Sequence, residues 1–155
     1  MSTRRHRSRQ GGTRRRKSSG GASLAAFQKE IAVVFLEMLM MVKLFHWKTT
    51  SYATHKATDE LYTKLNANID SFIEILLGKT GSRIDLMGKQ EKKFRLIDLP
   101  NQEALKREVE AFKGYLVSLN DNKAMLSMSN TDLFNIRDTI LGDMNQFLYL
   151  LTFNK

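Results

Sequence analysis

HWKTTSYATHKATDELYTKLNANIDSFIEILLG, residues 46–78, carries two superposed patterns. The first is apolar: Leu61, Leu65, Ile69, Phe72, Ile73 and Leu76 recur mostly at steps of three and four, the period of a helix with one buried face. It predicts a helix from about Ala53 to Leu77 with Gly78 as its C-terminal stop. The second is polar. His55 with Asp59, and Asp70 with Glu74, are i, i+4 pairs, and such pairs lie side by side on one helix face. Asp59 and Asp70 are eleven residues apart, close to three turns, so both pairs face the same way but stand about 16 Å apart. Metal–ligand bonds of about 2.0–2.2 Å cannot span that gap within one chain. A second copy, antiparallel across a two-fold axis near Lys64 and Leu65, would set His55 and Asp59 opposite the partner's acidic pair, twice. Leu61 and Leu65 are accordingly expected at a dimer interface.

Outward from this stretch the pattern stays helical, with no convincing alternating strand. Towards the N-terminus, Ser23 is expected to cap a helix running to about Lys48, with Leu24, Phe27, Ile31, Val34, Phe35, Met38, Leu39, Met41, Val42 and Phe45 as a wide apolar stripe. Its most apolar run, Ile31 to Phe45, is too short for a membrane span and carries Glu37 and Lys43, so it reads as a core helix. Thr49 to Tyr52 form a short break. Residues 78–101, with three glycines and the single proline, Pro100, form a long connector in which Ile84, Leu86 and Met87 are expected to build a short helix. Asn101 should cap a third helix from Gln102 to about Ser127, interrupted at Asn120-Asp121-Asn122. Asn130 or Thr131 should cap a last helix ending near Phe153. Four such helices with a long middle connector predict an all-α four-helix bundle over 22–155.

Charge divides the chain differently. Residues 1–21 hold Arg4, Arg5, Arg7, Arg9, Arg14, Arg15, Arg16 and Lys17 and no acid. Removing these eight from 25 basic residues leaves 17 against 16 acids, so the tail carries nearly all of the net charge of +9. With almost no apolar side chain it is expected to be disordered in isolation. Such a tail suits phosphate backbones, with a salt-dependent, sequence-blind grip on DNA. A nuclear-import signal and a solubilising or virion-anchoring arm have similar composition; a transit peptide should be amphipathic, and the tail lacks the apolar face. Absence of cysteine excludes disulfides and thiolate metal sites.

The His46-Trp47 pair, H-x-x-x-D at His55 and Asp59, the Leu61-Tyr62 pair and D-x-x-x-E at Asp70 and Glu74 together resemble the mini-ferritins called Dps, the DNA-protection proteins of starved cells. The order of helices over 22–154 is similar, and TDLFNIRDTILGDMNQFLYLL, residues 131–151, looks like that family's last helix. The resemblance implies a ferritin-like bundle, assembly through two-fold dimers into a hollow dodecamer, DNA binding, and iron oxidation at two-fold interfaces. It assigns His46, His55 and Asp59 to one chain, Asp70 and Glu74 to its partner, and Trp47 to a place beside the site. Two departures stand out. The His46–His55 loop is shorter than in typical members, which puts the reach of His46 in question, and the connector diverges. Glu-x-x-His, the intrachain di-iron pattern of larger ferritins, does not occur.

Imidazole with carboxylates and open positions suits Fe(II), and binding through neutral imidazole and ionised carboxylate weakens in acid. The expected activity is oxidation of Fe(II) to Fe(III) by peroxide or oxygen, in cytoplasm or nucleoid. A different class competes: a non-enzymatic virion or nucleic-acid packaging protein on the same bundle. A third, a nuclear stress or redox regulator, would need import driven by the basic clusters.

Overall fold

Three residues, Thr49–Ser51, reverse the chain between its two longest helices, α1 (Gly20–Lys48) and α2 (Tyr52–Thr80), in a computed structural model describing residues 20–85 and 94–153. Residues 1–19, which hold every basic residue of the tail, and the expected helix positions Leu86 and Met87 lie outside the described residues, while Gly20 and Gly21 belong to α1. Ile84 and Asp85 are described and are not helical.

Local chemistry explains the reversal. Ser51 has extended backbone, and its hydroxyl accepts the Thr54 N–H at 3.3 Å, capping α2. At the other end Gly81, with φ of +64°, donates its N–H to Leu77 O, the left-handed stop that glycine supplies without steric cost. Gly81 therefore ends α2; Gly78, the expected stop, lies within the helix. Likewise α1 begins at Gly20, so Ser23 falls inside it rather than capping it.

Asn101 caps α3 (Gln102–Ser118) as expected, its Oδ1 accepting the Ala104 N–H at 2.9 Å. The helix does not reach Ser127. A 3-10 turn, Leu119–Asp121, breaks it, and Asn122 caps a separate short helix, α4 (Lys123–Leu126), by accepting from Ala124 and Met125. The Asn-Asp-Asn run prefers turn and cap conformations to a helix interior. The last helix, α5 (Thr131–Leu150), has Asn130 at its cap position, but the Asn130 amide turns back to Met125 O at 2.6 Å instead of capping. A 3-10 turn, Leu151–Phe153, follows.

The described residues are thus all helical apart from connections, with four long helices. Pairings along their length give the directions. Gln28 meets Thr80 while His46 meets His55, so α1 and α2 run antiparallel. Lys64 with Gln146 and Lys79 with Asp132 set α5 antiparallel to α2. Gln102 with Leu151, and Arg137 with Leu116, set α3 antiparallel to α5. Helices α2 and α3 therefore run parallel, which is why the chain between them must travel the length of the bundle. Its described end, 94–99, is strapped to α1. The buried Glu37 carboxylate accepts the Arg95 backbone N–H and guanidinium at 2.9–3.2 Å, and Lys48 binds Asp98 and Leu99 O.

The core is continuous through the four helices. Phe35 and Phe72, both fully buried, meet edge to face with ring centroids 5.3 Å apart; such pairs add about 0.5–1.5 kcal/mol beyond burial. Leu61 and Leu65 belong to this core, at 2% and 0% exposure within a single chain. The expectation that they form a dimer interface is corrected: the stripe Leu61–Leu65–Ile69–Phe72–Leu76 faces the chain's own bundle. Lys64 is likewise turned to α5, bonding Glu60 and Gln146 at 2.8 Å, and Glu60 followed by Asp143 hold its ammonium above the ordinary value. The opposite face of α2, with His55, Tyr62, Thr63, Asn66 and Asp70, is open or half-open. No helix among the described residues is long and apolar enough to cross a membrane.

Candidate metal centre

His46 stands in the last turn of α1 and His55 in the first turn of α2, and the tight reversal between them sets the two helices face to face at this point. The rings stack, 3.9 Å between centroids and 22° from parallel. Their backbone contacts are reciprocal: His46 Nδ1 lies 3.0 Å from His55 O, and His55 Nδ1 lies 3.1 Å from His46 O. A carbonyl oxygen only accepts, so each Nδ1 carries a hydrogen and donates it. In the neutral rings both lone pairs are then on Nε2. This is the way metal-binding histidines are commonly held, one nitrogen anchored to a carbonyl and the other left to ligate.

Asp59, one turn after His55, brings Oδ1 to 4.0 Å from His46 Nε2; its side chain is half exposed while that of His46 is 10% exposed. The three-residue reversal thus sets His46 against His55 and near Asp59. Stacking also limits what the pair can do. A ring nitrogen's lone pair lies in the ring plane, so one ion about 2.0–2.1 Å from both Nε2 atoms would sit between two nearly parallel planes, off both lone pairs. Stacked as they are, the two imidazoles could ligate only separate ions, and a shared ion would require them to unstack.

Asp70 and Glu74 are exposed on the same open side of α2, and the helical rise keeps them about 16 Å and more from Asp59. Among the described residues no group of three or more histidine or acidic side chains is gathered closely enough to hold a metal ion. The chain brings together His46, His55 and Asp59 and leaves Asp70 and Glu74 apart. Trp47, next to His46 in the chain, is 71% exposed; the Lys43 ammonium lies 5.9 Å from its ring and 4.6 Å from that of Tyr62.

The sequence reading passed over Thr58, fully buried at the base of the histidine pair, with Oγ1 3.3 Å from His46 Nδ1. A threonine in an apolar stripe gives no signal of that contact. It also passed over Arg137, 6% exposed, which donates to Leu116 O and Asn120 Oδ1 and pins the end of α3 to α5.

The profile described as Family of unknown function (DUF5856) matches residues 46–151, from His46 to the last turn of the bundle. No curated protein and no solved structure matches the chain.

Proposed function

The chain belongs to that family of unknown function, and from its own residues we propose that it is a Dps-like mini-ferritin: two copies bind Fe(II) between them and oxidise it, and the tail holds DNA. The observation that carries this reading is the anchored histidine pair beside Asp59, with Asp70 and Glu74 on the same open side of α2. Half a ligand set at each end of one exposed helix face is completed when a second copy lies antiparallel against it. Because Leu61 and Leu65 are occupied inside the bundle, the residues near the axis are Tyr62, Thr63, Asn66 and Ala67.

Iron is the substrate here. Each Fe(II) loses one electron; one hydrogen peroxide takes two electrons and two protons to give two waters. The chain's part is to bind through His46 and His55 Nε2 and the carboxylates of Asp59, Asp70 and Glu74, with ring orientation set in advance by the Nδ1–H bonds. Carboxylates suit the ferric product. The eight cations of the tail neutralise DNA phosphates and bring this chemistry close to what it protects.

The test is anaerobic Fe(II) loading followed by peroxide, on wild type and Asp70→Ala, with native mass measured in the same samples. Rapid oxidation lost in Asp70→Ala, with helicity intact, supports the reading. Slow oxidation equal in both overturns it. The tail composition would then favour the non-enzymatic packaging or virion protein, for which the mass would be that of a monomer or dimer. Deleting residues 1–21 should abolish DNA binding and leave oxidation unchanged.

A further inference from the structure

We propose that the Thr58 hydroxyl is a positioning group of this centre, a second acceptor that reinforces the His55 carbonyl in keeping the His46 proton on Nδ1, so that Nε2 is the metal donor; the proposal rests on the metal-centre reading above. Thr58 is fully buried, one residue before Asp59 and three after His55. Its oxygen lies 2.8 Å from Thr54 O, 3.0 Å from His55 O and 3.3 Å from His46 Nδ1. The hydroxyl has one hydrogen. Both carbonyls can only accept, so that hydrogen is directed to them, and an oxygen lone pair is left towards His46. The His46 Nδ1–H therefore forks between two acceptors, Thr58 Oγ1 and His55 O.

The opposite tautomer would place a nitrogen lone pair against a carbonyl oxygen at 3.0 Å and a hydroxyl oxygen at 3.3 Å. Turning the hydroxyl hydrogen to His46 would relieve only the second contact and cost the bond to Thr54 O. His55 has no such second acceptor in the cluster, so the device is specific to His46, the ring nearer Asp59. Threonine suits the task because back-bonding to the preceding turn holds its side chain in a helix-compatible rotamer. Outer partners of this kind typically change metal affinity by about 10–100-fold when removed.

A merely structural threonine would satisfy itself on its own helix and leave the histidine proton alone. Nitrogen-15 NMR of the full chain in alkaline buffer separates the two. Wild type is expected to show His46 protonated on Nδ1; in Thr58→Val, where the His55 carbonyl alone still accepts from Nδ1, a measurably larger share of the Nε2–H form is expected, and Thr58→Ser should restore the wild-type share. Anaerobic Co(II) titration followed by visible absorption should show affinity falling about 10–100-fold in Thr58→Val and recovering in Thr58→Ser. Nε2–H His46 in the wild type overturns the proposal whether or not any variant folds. Unchanged tautomer and affinity in a folded Thr58→Val also overturn it, with the metal reading intact. A wild type that keeps Nδ1–H but binds no Co(II) sinks the metal reading, and the positioning role with it.

Discussion

Removing the Arg95 guanidinium is expected to lower stability by about 2 kcal/mol, and most of that loss should disappear when Glu37 is already neutral. Glu37 sits mid-way along α1 with its side chain 6% exposed. Its Oε1 accepts the Arg95 backbone N–H at 2.9 Å, and its Oε2 accepts Nε at 3.2 Å and Nη2 at 3.1 Å. Arg95→Ala deletes the last two bonds and leaves a buried carboxylate with the backbone N–H. Charge-assisted bonds are worth about 1.5–3 kcal/mol each when buried. The Arg95 side chain is 66% exposed, so screening removes roughly half of that, leaving about 2 kcal/mol for the pair. Glu37→Gln keeps shape and one acceptor but removes the charge. The cycle of Arg95→Ala with Glu37→Gln should therefore return a coupling of about 1.5 kcal/mol. Urea unfolding with an unchanged m-value is the assay, with hydrogen exchange over 94–99 to show that the strap has loosened. A coupling below about 0.5 kcal/mol would refute the reasoning, because Glu37 would then be satisfied without the guanidinium.

Phe72→Ala should cost about 3–5 kcal/mol by calorimetry or urea unfolding, since it empties a fully buried site and ends the edge-to-face contact with Phe35; a cost under about 1.5 kcal/mol would contradict that packing. Gly78 is helical with open space around it, and Gly81 is left-handed. Gly78→Ala should raise stability by about 0.5–1 kcal/mol and Gly81→Ala lower it by about 1 kcal/mol, and thermal shifts of the same sign would disprove the helix end at Gly81. Asp132 is held below its ordinary value of 3.8, chiefly by the Lys79 ammonium at 2.8 Å and also by the Leu133 N–H. Its folded value is depressed, so its contribution is present above 3.8 and is lost as pH falls through the lowered value. NMR titration should place the Asp132 midpoint below that of an ordinary aspartate, moving up in Lys79→Met; no movement would show that Lys79 is not the cause.

What could be read in the sequence followed the local rules. The ends of α1 at Lys48 and of α3 at Asn101 were legible because a break or a capping side chain acts within three residues. The break at Asn120-Asp121-Asn122 was legible for the same reason. Gly78 and Gly81 were not distinguishable, since both are glycines near the end of one apolar stripe and only backbone geometry says which takes positive φ. From sequence alone, the short His46–His55 loop put the reach of His46 in question. In three dimensions it is what stacks the two rings.

The apolar period determined by itself that this chain makes long amphipathic helices, and the i, i+4 spacing put His55 with Asp59 and Asp70 with Glu74 on one side of α2. Both are properties of a single helix, governed by the rise and turn per residue. Which side of α2 faces the core was decided only by packing, because Leu61 and Leu65 could bury against a second copy or against α5, and a one-dimensional pattern does not separate the two. Tertiary structure alone also decided which nitrogen of each histidine carries the hydrogen in the neutral ring, since that follows from carbonyls and a hydroxyl on neighbouring turns and a facing helix, brought within 3.3 Å by the reversal at Thr49–Ser51.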